Sequence, residues 1–266
     1  MYSAHSFFDL AEFPHAGVFF ENEYVWTALG FLKEFIDDNV KELPADNSIA
    51  SGVPLIGPLI IYEDNQLPAR ECEIVYGDTA KGGLRVYNKG ELLVGASLIM
   101  AGVTLLGKRI KVGRGVLVES GSLIKEPAII SDYSEIRQGA YLRGYCLVGK
   151  RCVVGHTTEV KHSILLNDAK AGHFAYLGDS ILGDDVNLGA GTKMANLRFL
   201  PGNVNVKTPD GMIDTGLRKF GAVLGDYVQT GCNSVTSPGT LMAPAGILMP
   251  NTTAPSGYHP PDSVIR

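Results

Sequence analysis

From Val94 onward every sixth residue is aliphatic: Val94, Met100, Leu106, Val112, Val118, Ile124, Ile130, Ile136, Leu142, Val148, Val154, Val160 and Leu166, thirteen times without a miss. The residue four further on is small or apolar, from Leu98 and Thr104 to Cys146, Cys152 and Ile164. A period of six matches neither the 3.6 period of an amphipathic helix nor the alternation of an ordinary strand. It is the hexapeptide repeat of a parallel β-helix. Three hexads make one triangular coil, and each aliphatic side chain points inward onto the one a full coil later. One coil cannot bury its own apolar face, so coils must stack, about 4.8 Å apart. The frequent glycines after the aliphatic positions, such as Gly95, Gly107 and Gly149, suit the turns.

Around this repeat the chain divides in two. Residues 1–50 form an N-terminal segment with one helix. Its apolar positions Val25, Leu29, Leu32 and Ile36 follow helical spacing between Glu23 and Lys41. Phe7, Phe8, Leu10 and Phe13 are expected to pack on the body, as is Trp26. Residues 51–266 are read as the β-helix. A loop insertion covers 197–220, and the tail, with Pro255, Pro260 and Pro261, is expected to be extended. Within 50–92 the runs 72–76 and 84–87 can pair as strands. Within the insertion, Thr208-Pro209-Asp210-Gly211 is a turn between two short strands.

The repeat slips after Leu166, because Leu182 follows at sixteen residues rather than eighteen. Such departures in a regular solenoid are where function is expected. The slip contains Lys170-Ala171-Gly172-His173 and Tyr176-Leu177-Gly178-Asp179, and Asn187-Leu188-Gly189-Ala190-Gly191-Thr192 follows.

A net charge of -5 argues against a nucleic-acid partner held by counterion release. No run of about 18 apolar residues is present, so no membrane span is expected. The first twenty residues have no basic-then-apolar pattern of a secretory leader. Four cysteines are scattered at 72, 146, 152 and 232; Cys146 and Cys152, at small-residue positions of the repeat, are expected to be reduced packing residues, and the compartment cytoplasmic. No metal site is expected: His156 and His162 are six apart and hence on different edges.

Two features carry chemistry. His173, flanked by Ala171 and Gly172, is an approachable imidazole and the candidate catalytic base. Arg143 and Lys161 each follow an inward aliphatic and lie eighteen residues apart, so they should stack on one edge as a phosphate clamp.

The run Arg143-Gly144-Tyr145, Glu159-Val160-Lys161, Lys170 to Asp179 and Asn187 to Thr192 resembles a known family. It is similar to the C-terminal acetyltransferase domain of the bifunctional UDP-N-acetylglucosamine pyrophosphorylase / glucosamine-1-phosphate N-acetyltransferase. It also resembles the C-terminal domains of sugar-1-phosphate nucleotidylyltransferase-like proteins. The likeness covers about residues 94–250. It implies an all-β chain, a left-handed parallel β-helix that forms a homotrimer with active sites between subunits. Acetyl-CoA would serve as substrate, with no tightly bound cofactor, and the acceptor would be an amino-sugar phosphate.

By the same resemblance Arg143 and Lys161 bind the sugar phosphate, Tyr176 and Asn187 hold the sugar, and Ala190, Cys232 and Lys219 meet the CoA donor. The chain departs from the pattern at Leu197, where a tyrosine is usual, and at Cys232, where a serine is usual. Residues 1–92 have no Gly-rich phosphate loop of a nucleotidylyltransferase domain, so nucleotidyl transfer is not expected of them. The alternative from another class is a silent trimeric β-helix that binds sugar nucleotide or scaffolds a separate nucleotidylyltransferase.

Overall fold

The structure, a computed structural model, describes residues 2–21, 23–44 and 51–266. It is a left-handed parallel β-helix of about nine turns with one α-helix. Three parallel sheets form the faces of a triangular prism. The first face starts at Ser97–Ile99 and runs through Val153–His156, Lys170–His173, Asn187–Leu188 and Gln229–Thr230 to Val264–Ile265. The second runs from Thr104–Leu106 through Tyr141–Arg143, Glu159–Lys161, Tyr176–Gly178 and Lys193–Met194 to Thr253–Ala254. The third runs from Ile110–Val112 through Cys146–Val148, Ser163–Leu165 and Ile181–Leu182 to Gly257–His259. The C-terminal residues are thus extended and complete the last turn.

The expected repeat holds in the middle of the chain and drifts at both ends. Val118 through Val160 face the interior as the spacing predicts. Val94 is exposed, however, and Ile99 and Leu105 take the inward positions expected of Met100 and Leu106. At the other end Leu165, Ala171, Leu177, Leu182, Leu188 and Met194 line the interior, while Leu166 points outward.

The cause lies at the corner between the second and third faces, which shortens along the prism. Three residues, 107–109, turn it in the first coil. Two residues, 126–127 and then 144–145, turn the next coils. After that a single residue does so, His162 between Lys161 and Ser163, and then, by the register that pairs Lys161 with Gly178 and Ile164 with Ile181, Asp179. The single coil two residues short inferred from the sequence is therefore two successive corners, each one residue tighter. Both corner residues are left-handed, His162 at φ 47 and Asp179 at φ 49, a conformation uncommon for non-glycine residues.

The N-terminal segment seals the third face. Helix α1, Thr27–Asn39, buries Ala28, Leu29, Leu32 and Ile36. These side chains, with Phe7, Phe8, Phe13 and Trp26, pack on Ile129, Leu147, Ile164, Leu166, Ile181, Val223 and Leu241. Trp26 stacks on Tyr24 at 4.5 Å and meets Phe220. Ile36 is fully buried in this layer, so Ile36→Ala should cost about 2–5 kcal/mol. Urea unfolding followed by far-UV circular dichroism measures that cost. A loss under about 1 kcal/mol would mean the helix docks only weakly.

Residues 51–96, expected to begin the solenoid, instead cap it. The expected boundary at 50/51 adjoins 45–50, outside the described residues. Leu59–Tyr62 pairs antiparallel to Ser97–Ile99. Cys72–Val75 and Arg85–Asn88 pair antiparallel, as the sequence suggested. Together with Glu91–Leu92 they cover the early coils of the first face, where Val86 and Ala96 pack on Leu98 and Leu117. In the insertion, Asn205–Thr208 and Gly211–Asp214 form the anticipated hairpin. The described residues leave the later coils of the first face and the outer side of the second uncovered.

Candidate active site

Each candidate residue is placed by its position on a coil. Val153 pairs with Lys170 and His156 with His173, so a coil here is seventeen residues long. Lys170 pairs with Asn187, which pairs with Gln229. One rung down from His173 is therefore Ala190, and below that Cys232. The turn hydrogen bonds confirm the stack: Gly191 N–H donates to His173 O at 2.9 Å, and Asn233 N–H to Ala190 O at 2.8 Å. His173, Ala190 and Cys232 thus form one column on the edge between the first and second faces. Asn187 lies on the opposite edge of the first face, three residues or about 10 Å from Ala190.

His173 is exposed. Among the described residues nothing hydrogen-bonds its ring nitrogens, and its nearest ring is Phe174 at 6.3 Å. Beside the column runs a trough without side chains, Gly155, Gly172, Gly189 and Gly231. A Cβ on Gly155 would overlap the Gly172 backbone, and one on Gly189 would lie within the Gly231 and Cys232 backbone. A Cβ on Gly172 would meet nothing within 4 Å. The coils approach closely where glycine permits it, and the surface left over is shallow and smooth.

The cations occupy the other edge of the second face. Tyr141 and Leu142 pair with Glu159 and Val160, which sets Arg143 directly above Lys161. Neither is free. Arg143 Nη1 donates to Glu159 Oε1 at 2.6 Å, and Lys161 Nζ to both oxygens of Asp179 at 2.9 and 2.8 Å. Asp179 also accepts from His162 Nδ1 at 3.0 Å and from Asn196 Nδ2 at 2.5 Å. Arg143 and Lys161 thus each face a carboxylate, and Lys125 stands above Arg143 in the same column.

Burial pushes the Asp179 carboxyl up, but the hydrogen bonds from His162 and Lys161 outweigh it and hold the group below the ordinary range. Tyr176 joins the two edges. Its phenol bonds the Asn196 side chain, and burial, then Asp179 and Glu159, raise its pKa. Gly178 makes room for it, since a Cβ there would sit 2.5 Å from both Tyr176 Oη and Asn196 Nδ2.

The sequence reading therefore divides. His173, Ala190 and Cys232 come together. Arg143, Lys161 and Tyr176 come together. The two sets sit on opposite edges of the second face of one chain. Lys219, expected near the donor, is exposed and bridges to Leu197, on the cation side rather than in the His173 column. His162 is mostly buried and bound to Asp179. That histidine, Asp179 and Asn196 were given no role. The tight corner that brings them together was visible only as a slip in the repeat.

Comparison with known proteins bears on this site. Residues 124–237 match the family model described as the GMPPB C-terminal domain. A bifunctional sugar-1-phosphate nucleotidylyltransferase/acetyltransferase of Sulfurisphaera tokodaii is 45% identical over 83 residues, 31% of this chain and 21% of that protein. The bifunctional protein GlmU of Methanococcus vannielii is 41% identical over 98 residues, 36% of this chain and 23% of that protein. The matched part of the solenoid is similar to the C-terminal acetyltransferase domain of these bifunctional proteins. An uncharacterised acetyltransferase of Escherichia coli, YaiX, is 31% identical over 87 residues, 33% of this chain and 38% of that protein. The chain thus spans between about a fifth and two-fifths of the length of these relatives. Among the described residues no helix is long and apolar enough to cross a membrane.

Proposed function

We propose that the chain is an acetyl-CoA-dependent N-acetyltransferase acting on an amino-sugar phosphate such as glucosamine-1-phosphate, in sugar-nucleotide synthesis. The observation that carries this is the His173 imidazole, which has no hydrogen-bond partner among the described residues and stands in one column with Ala190 and Cys232, beside the glycine trough. An extended thioester arm lies along such a trough without displacing side chains. His173 accepts the proton lost by the sugar ammonium, and the amine attacks the thioester carbonyl. The oxyanion needs a donor, and the Ala190 N–H has no backbone acceptor among the described residues. Collapse of the tetrahedral adduct expels the CoA thiol and leaves an amide.

The phosphate goes to Arg143 and Lys161. One chain holds these cations across the second face from its own His173, so the complete site is assembled between copies. The third face is sealed by the N-terminal segment, which leaves the first-face and second-face edges to meet, as a trimer arranges them. Release of thiol from acetyl-CoA in the presence of glucosamine-1-phosphate tests the activity, and sedimentation equilibrium tests the trimer. A flat trace across several hexosamine phosphates would remove the reading.

The second reading is a silent trimeric β-helix that binds sugar nucleotide or scaffolds a separate nucleotidylyltransferase. It is favoured by the charge closure of Arg143 with Glu159 and of Lys161 with Asp179. The two readings make opposite claims about Glu159. If Arg143 clamps phosphate, Glu159 competes with the substrate for it. Glu159→Gln should then lower the KM for glucosamine-1-phosphate by about two- to threefold, as expected for an exposed pair. Steady-state kinetics at low salt reads the change. A KM that stays put or rises would mean that Arg143 is a structural partner of Glu159 only.

A further inference from the structure

We propose that Asp179 is the positioning residue of the phosphate clamp, fixing Lys161, His162 and Asn196 as one rigid set. The proposal rests on the amino-sugar-phosphate reading above. Asp179 does not reach substrate itself, being only 5% exposed. It sits alone at the tight corner between Gly178 and Ser180, with its N–H donating to Lys161 O at 3.0 Å.

An ionised carboxylate only accepts hydrogen bonds, so its three neighbours must all donate. That requirement puts the His162 proton on Nδ1, turns the Asn196 amide nitrogen inward, and ties the Lys161 ammonium to a fixed point on a flexible four-carbon stem. Asn196 in turn bonds the Tyr176 phenol, which lies in the space Gly178 leaves. Among the described residues His162 Nε2 is buried with no partner, so the imidazole is held by Asp179 and by packing, its ring 6.5 Å from that of Tyr145. An ammonium carries three N–H donors. With the two oxygens of Asp179 taking two of them, one donor remains. Without Asp179 the stem would sample many rotamers, and the clamp would have to be assembled by each incoming phosphate.

The test is kinetic and uses the full chain. Asp179→Asn should raise the KM for glucosamine-1-phosphate by about tenfold, with the KM for acetyl-CoA within about twofold. The preference for glucosamine-1-phosphate over unphosphorylated glucosamine should shrink by the same factor. In a Lys161→Gln background the same change should alter that preference less than about twofold, because the effect passes through Lys161. Asp179→Glu keeps the charge and guards against a fold defect in the Asn variant; it should restore most of the preference.

Calorimetric titration with glucose-1-phosphate, which has no amine to acetylate, reads the clamp without turnover. Asp179→Asn, if it is folded by circular dichroism and keeps the parent's preference for phosphate, overturns the positioning role alone. Equal losses for phosphorylated and unphosphorylated sugar overturn it too, since they mark a general structural defect. A parent chain that neither acetylates nor binds glucose-1-phosphate overturns the reading beneath it as well.

Discussion

His173→Ala is expected to lower kcat for acetyl transfer by about 10²- to 10⁴-fold, the range for loss of a positioned general base. Its melting temperature should be unchanged. The imidazole is exposed and no group among the described residues hydrogen-bonds it, so its removal opens no cavity and strands no partner. The KM for either substrate should move little, because the proton transfer is felt in the transition state rather than in the bound complex. Free imidazole added to the alanine variant should recover part of the rate, which a purely structural defect would not allow. The decisive measurement is thiol release at saturating acetyl-CoA and glucosamine-1-phosphate. A rate within about threefold of the parent would remove His173 from the chemistry, and with it the main support for acyl transfer over scaffolding.

The solenoid was legible because a stacked coil imposes its period on the sequence: inward positions must be apolar, and there is one per side. Val118 through Val160 follow that rule, and all face the interior. The two ends were less legible because a corner can absorb an extra or missing residue. Ile99 and Leu105 each lie one place before the predicted residue, since three residues turn the first second-to-third corner. Leu166 was read as inward because it is aliphatic and correctly spaced, yet it belongs to the layer beneath helix α1. An outward residue covered by another segment looks, in sequence, just like a core residue.

The site shows the same limit. The stacking of Arg143 on Lys161 followed from the period alone. That each is already paired did not, because Glu159 is two residues from Lys161 along the strand, and only the pleat and the rung spacing bring it to Arg143 at 2.6 Å. The His162–Asp179 contact depends on two corners of one residue each. It could not be foreseen while the shortened stretch was counted as a single defect.

The glycine trough supplies the second large effect. Gly155→Ala should destabilise the chain by about 3 kcal/mol, near the upper end for overpacking. The reason is space rather than dihedral freedom: the added Cβ would overlap the carbonyl of Gly172 on the next coil, and backbone cannot step aside as a flexible side chain can. Two coils must part there, straining the ladder that pairs Val153 with Lys170 and His156 with His173. For a chain of this size the loss corresponds to a fall of about 6–12 °C in melting temperature. Gly172→Ala is the matched control. It lies in the same column one rung on, but its Cβ would meet nothing within 4 Å, so its melting temperature should stay close to the parent's.

The two variants should therefore separate stability from function. Gly155→Ala loses melting temperature first. Gly172→Ala, with a methyl standing in the trough beside His173, should raise the KM for acetyl-CoA by about tenfold while leaving that for the sugar phosphate alone. Differential scanning calorimetry and initial rates on the pair decide it. Equal melting temperatures would show that the coils yield more easily than their spacing implies. An unchanged KM for acetyl-CoA in Gly172→Ala would mean that the thioester arm does not follow this column.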